Sequence, residues 1–545
     1  MRYGVFVFHS RMSRHSQAFR ISRRELLAPW LVLQMGVCGL AEDPPAPAVL
    51  PAYIQEYRVT GTKQLSAEEV GAAVYPFLGP ERTPDDVEQA RAALEKAYRE
   101  KGYQTVTVEV PQQQVRRGIV MLKVVENKVG RLRVKGARFF NQDDIKRKAP
   151  SLAEGRVPNF NDVTRDILAL NTLADRRVTP ELRPGVEPGT VDIDLVVKDT
   201  LPLHGNLELN NRASADTTDL RLNGSVSYNN LWQRGHSAGA SFQISPQDRK
   251  EVKVLSGYYI ARFPELDWLS LMLSGTKQES NVSTLGGLAV AGRGNILGAR
   301  ALVTLPARKN FYHSLSFGLD YKNFQQLVNV PNSLPVETPT TYFPFNLSYS
   351  GTWAGQKTTT ELNAGVTFHV RGIGEDRTEF ENARFRADSN FVYLRGDLAQ
   401  TRELPGGFEA FAKVQGQLAD QPLISSEQIS GGGLGTVRGY LEAEAVGDNG
   451  VFGSLELRSP SLLRWWSDKA GEFRVYAFVE GGALTTYQPL PDQDSYFELA
   501  SVGVGGRLRL LDHFGGSLDV GLPLVTQAHT QPFDPHVTFR MWADF

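Results

Sequence analysis

The residues Gly431-Gly432-Gly433-Leu434-Gly435-Thr436-Val437-Arg438-Gly439-Tyr440 set one arginine in a glycine-rich stretch. Glycines at this density open turns that other residues cannot adopt. Arg438 carries a permanent charge on a planar fork of donors suited to a carboxylate. The chemistry on offer is ion pairing by a loop that needs an anionic partner. Taken alone, the decapeptide reads equally well as a flexible surface loop with a solvated Arg438. A second candidate, Gly235-His236-Ser237-Ala238-Gly239, fits the Gly-x-Ser-x-Gly elbow of hydrolases. An elbow needs a strand before the serine and a helix after it. Here the alternating segment Ala240-Ser241-Phe242-Gln243-Ile244 follows, so the pentapeptide reads as a hairpin turn. The glycine run at 431–435 lacks the lysine of a phosphate-binding loop, and the nine histidines show no metal-ligand spacing. Neither an enzyme nor a cofactor is expected.

Composition narrows the setting in which Arg438 works. A net charge of -1 gives no reason to expect nucleic acid as a partner, and no apolar run after residue 41 reaches the ~20 residues of a membrane-spanning helix. If the chain lies in a membrane, strands carry it. Residues 1–41 join Arg11, Arg14, Arg20, Arg23 and Arg24 to an apolar run ending in Gly39-Leu40-Ala41, the pattern of a secretory signal peptide. Met12 is an alternative start. Ser22-Arg23-Arg24-Glu25-Leu26-Leu27 resembles a twin-arginine signal, although that route carries folded cargo. The one cysteine, Cys38, falls inside this segment and is expected to leave with it. A proline-rich linker follows at 42–53.

Two units of like order come next, at 54–127 and 128–200. The first opens with a strand at 54–61, a helix started by the capping-box pattern Ser66-Ala67-Glu68-Glu69, and a helix over 83–101. It closes with strands at 105–110 and 118–125. The second repeats this with a strand at 130–136, helices near 142–149 and 161–175, and strands at 178–183 and 190–197. Val59-Thr60-Gly61 and Val134-Lys135-Gly136 mark the same point, 75 residues apart, so the order βααββ is an internal repeat. With Tyr98-Arg99-Glu100-Lys101-Gly102-Tyr103 before a strand, each unit resembles the polypeptide-transport-associated (POTRA) domain, although any pair of α+β modules would share the order. Sheet edges of this kind can pair with an extended peptide, and the strand at 105–110 with the helix at 91–101 is the expected contact edge.

Beyond residue 201 helical periodicity vanishes. Leu315, Phe317, Leu319 and Tyr321 alternate with Ser316, Gly318, Asp320 and Lys322, and Phe343, Phe345, Leu347 and Tyr349 repeat the pattern. Segments of this kind begin near 203, 220, 237, 253, 268, 296, 312, 342, 361, 391, 407, 451, 473, 501, 514 and 536, an even count of sixteen. A soluble sandwich also alternates. In a transmembrane barrel the apolar face meets lipid and the polar face lines the lumen, with short periplasmic turns facing longer outer loops. Turns near 306–310 and 401–405 take turns with long connections at 275–295, 323–340, 370–389, 419–450 and 483–499. The expected architecture is two periplasmic α+β domains followed by a 16-stranded antiparallel transmembrane β-barrel over 201–545, with 419–450 as the sixth outer loop.

Two tandem POTRA-like domains, sixteen strands and Val437-Arg438-Gly439-Tyr440 in that loop together resemble the outer-membrane transporters of two-partner secretion, the haemolysin secretion/activation type. The resemblance implies that the loop folds into the lumen. It also implies that Arg438 pairs with the acid of a Phe-x-Asp-x-Gly motif on the thirteenth strand, here Phe478-Val479-Glu480-Gly481-Gly482 with glutamate in place of aspartate. Parity puts Arg474, Tyr476, Phe478, Glu480 and Gly482 inward. The final aromatic, Phe545, resembles the signal by which outer-membrane barrels are assembled. The implied partners are an unfolded secreted client, outer-membrane lipid, and the barrel-assembly machinery and periplasmic chaperones during biogenesis. With about a dozen proline-rich residues after Ala41, no plug helix is expected ahead of the first domain. A barrel-protein or autotransporter assembly factor and a passive porin are the other function classes.

Overall fold

The computed structural model describes residues 52–545 except 116, 216, 250, 264, 280–281, 284–289, 292, 329–335, 375–376, 466–470 and 492. The expected signal peptide, the linker up to residue 51 and the segment in which a plug helix would lie fall outside the described residues. The chain divides into two compact units, with the division between Thr200 and Leu201.

In the N-terminal unit each repeat builds a three-stranded sheet under two helices. The first sheet centres on Ile119–Glu126, which pairs in parallel with Glu56–Thr60 and antiparallel with Val106–Glu109. The second centres on Thr190–Asp199, flanked in the same way by Lys128–Lys135 and Arg176–Pro184. Ser66 caps the helix Ala67–Val74 through the reciprocal bond with Glu69, and the long helix Pro84–Glu100 lies over the first sheet. The repeat survives in atomic detail. Gly61 and Gly136 both have positive φ, and a Cβ on either would run into a carbonyl of the central strand, that of Val124 or of Val197. Two details differ from the expected order. A short strand, Gly79–Arg82, pairs with Ala52–Ile54, and the last helix, Phe160–Leu170, stops short of 175 because Asn171 turns its side chain to Val178.

The C-terminal unit is a closed antiparallel barrel. Its sixteen strands start within a few residues of the expected positions, except that the eighth begins at Val336 and the fourteenth at Tyr496. The eighth strand is broken in two, Val336–Tyr342 and Phe345–Ala354, because Pro344 has no N–H to give the ladder. Several connections expected as long loops are partly strand: Phe311–Val328 and Gly471–Thr485 keep pairing well beyond their alternating stretches. Backbone pairing does not require an apolar face, so it continues after the lipid-facing pattern ends. The large side chains outside are apolar: Leu273, Leu315, Phe317, Leu347, Leu455 and Val504 are all exposed. Their neighbours in sequence point in. No described helix is long and apolar enough to cross a membrane. His536–Asp544 closes the ring against Leu203–Asn210, and Phe545 exchanges both backbone bonds with Gly205 at 2.8 and 3.0 Å.

Candidate functional site

The connection between the eleventh strand, Glu409–Ala419, and the twelfth, Asn449–Arg458, turns into the barrel as a hairpin. Its stem pairs Ile429–Gly431 with Ala445–Gly447, and positive φ at Gly432 and Gly433 starts the turn beyond the stem. The tip carries Val437, Arg438, Gly439 and Tyr440, all buried.

Arg438 is 2% exposed and faces three carboxylates. Its Nε and Nη2 donate to Glu480 Oε1 at 3.1 and 2.5 Å, and its backbone N–H donates to Glu480 Oε2 at 2.7 Å. Nη2 also donates to Glu456 Oε1 at 2.7 Å, and Nη1 to Asp519 Oδ1 at 3.0 Å. The guanidinium carbon lies 3.6 Å over the centre of the Phe478 ring, and that ring in turn stands against Gly503, where a Cβ would sit 2.3 Å from it. One face of the fork is therefore covered by an aromatic and its edges by acids, the arrangement in which a buried arginine is satisfied.

Each neighbour has its own task. Gly439, at φ 95°, lies against the backbone of Gly521, where neither glycine has room for a side chain. The Tyr440 hydroxyl lies 3.0 and 2.9 Å from the carbonyls of Ala500 and Val525, which share its one proton, and accepts from the Val525 N–H at 3.1 Å, while Val437 fills an apolar cluster with Phe452, Leu484 and Leu499. The inward parity of the thirteenth strand is as read: Tyr476, Phe478 and Glu480 are buried, whereas Val475 and Val479 are exposed. Gly482 makes room for the Phe452 ring from the neighbouring strand, a ring that shares the apolar cluster of Val437 and Tyr440.

Sequence reasoning paired Arg438 with Glu480 alone and missed Glu456 and Asp519. Parity on Phe452-Gly453-Ser454-Leu455-Glu456 and Leu518-Asp519-Val520 would have turned both inward, but only the register across the twelfth to fifteenth strands puts them at one depth. Also missed were Arg212, whose Nε donates to Glu442 at 2.6 Å, and Arg384, whose Nη2 donates to Asp448 at 2.7 Å. Phe545 is 69% exposed, with its ring over Gly205. Ser237 lies within the third strand, His236–Ile244, and its Oγ accepts from Arg262, so the elbow motif is a strand start.

In the N-terminal unit the expected contact edge is occupied at one point. Glu95 accepts the outward N–H of Val108 at 3.1 Å, and Arg91, paired with Glu95 at 2.6 Å, reaches the Val108 carbonyl at 3.5 Å. Lys101 bonds Glu69, and that bond, with those from Ser66, pulls the Glu69 carboxyl down to about 2. Gly102, from the same Tyr98–Tyr103 motif, accepts the Phe160 N–H at 2.8 Å and leaves no room for a side chain beside Asn159. The first repeat's signature thus also seats the second repeat.

Tandem POTRA-type domains and a sixteen-strand barrel whose lumen holds a salt-bridged loop define the class of outer-membrane polypeptide transporters. Residues 189–508, more than half of the chain, match the model of the haemolysin secretion/activation protein ShlB/FhaC/HecB, and residues 53–127 match the POTRA domain of ShlB type. The chain belongs to that family of two-partner secretion transporters: an outer-membrane protein with its N-terminal domains in the periplasm, moving a secreted client across the membrane. It is 22% identical over 528 residues to the outer membrane transporter CdiB of Dickeya dadantii, covering 90% of this chain and 86% of that one. It is 21% identical over 404 residues to the heme/hemopexin transporter protein HuxB of Haemophilus influenzae, covering 71% and 68%. The fold is shared with CdiB from Escherichia coli at a TM-score of 0.63, with 20% identity and 92% of each chain covered. It is shared with BamA from Haemophilus ducreyi lacking POTRA domains 1-3 at 0.55, with 14% identity, 91% of this chain and 100% of that one.

Proposed function

We propose that this chain exports one large secreted protein of adhesin or haemolysin type, which it accepts unfolded in the periplasm and passes through the barrel without nucleotide. The observation that carries this reading is the buried Arg438 and its three carboxylates, because they make the lumenal hairpin a closure that can be undone without breaking a covalent bond or a wall strand. The client first pairs with an edge of the periplasmic sheets. At Val106–Glu109 it does so by displacing Arg91 and Glu95 from Val108, so that main-chain bonds replace side-chain ones. It then enters the barrel as the hairpin yields, and folding outside prevents its return. Arg438, Glu480 and Tyr440 position the closure, Phe545 serves as the recognition signal for the barrel-assembly machinery, and periplasmic chaperones deliver the unfolded chain to that machinery.

The test is a mass-spectrometric comparison of medium, periplasm and outer membrane in the native host with and without this chain. One large protein lost from the medium or cell surface and found degraded or unfolded in the periplasm is the expected result, and it identifies the client. A joint fall of many barrel proteins in the outer membrane would instead make the chain an assembly factor.

A further inference from the structure

Among the described residues the lumenal hairpin is held at four buried ion-pair sites, and they divide into two kinds. In three of them the hairpin supplies the acid. Glu427, 1% exposed, accepts from Lys322 of the seventh strand at 2.5 Å, from the Tyr393 hydroxyl at 2.7 Å, and from the hydroxyl of Tyr342, which lies opposite Lys322 in the ladder. Glu442 takes both arms of Arg212, and Asp448 takes Arg384 together with the backbone N–H groups of Leu423 and Tyr487. Among the described residues, Lys322, Arg212 and Arg384 have no other carboxylate within ion-pair distance. Withdrawing any of these acids strands a buried cation.

The fourth pair is reversed. Here the hairpin supplies the cation, Arg438, and every wall acid that holds it already has another partner. Glu456 accepts from Arg458 at 2.7 Å and lies 3.6 Å from Arg507, Asp519 accepts from the Tyr476 hydroxyl at 2.7 Å, and Glu480 from Ser454 at 2.8 Å. The other ties of the tip to the wall given by side chains are neutral, Gln415 to the Gly435 carbonyl and the Tyr440 hydroxyl between two carbonyls, while the Leu434 N–H bonds Glu442 within the hairpin at 3.1 Å. Arg507 is half exposed and lies over Tyr476, beside Glu456.

We infer that the hairpin opens as a flap with a fixed frame. Its tip, between Gly433 and Glu442, leaves the wall while Glu427, Glu442 and Asp448 keep the rest in place, and Glu427 is the positioning residue of that frame. Gly432 and Gly433, already at positive φ, sit where the flap must bend. This rests on the reading of the hairpin as the pore closure. It adds that the closure does not leave the barrel, so a client passes beside a retained frame and through only part of the lumen.

The experiment uses the full chain in proteoliposomes, with Cys38→Ser to clear the background and a single cysteine at Thr436 in the tip or Ile424 in the frame, both buried positions. The readout is the rate of modification by a charged methanethiosulfonate. In an Arg438→Ala background the tip cysteine is expected to react at least about tenfold faster while the frame cysteine is unchanged. Glu427→Gln is expected to expose the frame cysteine, and replacing Lys322 and Glu427 together by methionine to protect it again, because no stranded charge remains. Heat-modifiable migration on gels checks that each barrel is folded. Tip and frame cysteines becoming reactive together on Arg438→Ala, a tip cysteine that stays silent, or a frame cysteine indifferent to Glu427→Gln would each overturn the flap. The closure reading fails separately, if a chain lacking 432–444 conducts no more ion current in planar bilayers than the intact one.

Discussion

The periplasmic repeats and the barrel alternate apolar and polar residues along their strands in the same way, yet they send the two faces to opposite addresses. In the first repeat Val120, Leu122 and Val124 of one strand are all buried beneath the helices with Leu94 and Tyr98. In the thirteenth barrel strand Val475 and Val479 are exposed, and the buried positions hold Tyr476, Phe478 and Glu480. The N-terminal unit is thus held by the removal of apolar area from water. The barrel interior is held by hydrogen bonds and ion pairs, while lipid takes the apolar face. The period of a strand says which residues share a face, and the surrounding solvent says what that face must be.

The comparison is broken most severely at the polar core. Arg438→Ala leaves three acids facing one another and is expected to cost the hairpin its seat, about 3–5 kcal/mol for a broken buried pair. Combined with Glu480→Ala, the loss of secretion and of hairpin protection from protease should fall short of the sum of the single losses; additive losses would show that the two do not act together. Next in size, Leu122→Ala in the apolar core should cost about 2–5 kcal/mol, read as faster hydrogen exchange across 119–126 in the full chain with the barrel unaffected. At Val479, one residue from Glu480 but on the lipid face, arginine should cost about 2–4 kcal/mol of barrel stability in urea titration. Alanine there should be nearly silent, since the side chain is not part of a packed core. Gly61→Ala and Gly136→Ala should each cost about 1–3 kcal/mol, and alike, because both glycines meet the same carbonyl in their repeats. Unequal losses would mean that the repeats are not equivalent at that point.

The smallest effect sharpens the polar side of the N-terminal unit. The Glu69 carboxyl is pulled down to about 2 by the hydrogen bond from Lys101 and by those from Ser66. A depressed acid stabilises the fold above its unfolded value and loses that contribution as pH falls towards the folded one. Helix 67–74 should therefore begin to lose exchange protection below about pH 4.5 and lose the capping contribution by about pH 2. Glu69→Gln should flatten that dependence.

Much of this was legible residue by residue. The strand starts follow from alternation and from turn residues, which act over neighbours in sequence, and the capping box at Ser66 and Glu69 is a contact three residues long. Where alternation stopped being informative, in the outward extensions of the strands at 311–328 and 471–485, boundaries were read too short, because pairing there no longer depends on side-chain polarity. Gly482 was placed on the inward face by parity, and what stands beside it there, the Phe452 ring, comes from the neighbouring strand. Resemblance alone linked Glu480 to Arg438, and nothing local pointed to Glu456 or Asp519.

By itself the sequence determined the repeat of two α+β units, the sixteen-strand count, the inward parity of the thirteenth strand and the presence of a charged loop at the sixth outer connection. These depend on period and on short-range bonding. Only the tertiary structure decided that Arg438 has three acids, that Lys322, Arg212 and Arg384 each hold an acid of the same hairpin, and that Arg91 and Glu95 cover an edge strand. Arg91 and Glu95 reach Val108 because their helix packs on the sheet, while the partners of the hairpin lie tens to hundreds of residues away and are brought within about 3 Å by the register of strands closing a ring, which no single stretch of sequence contains.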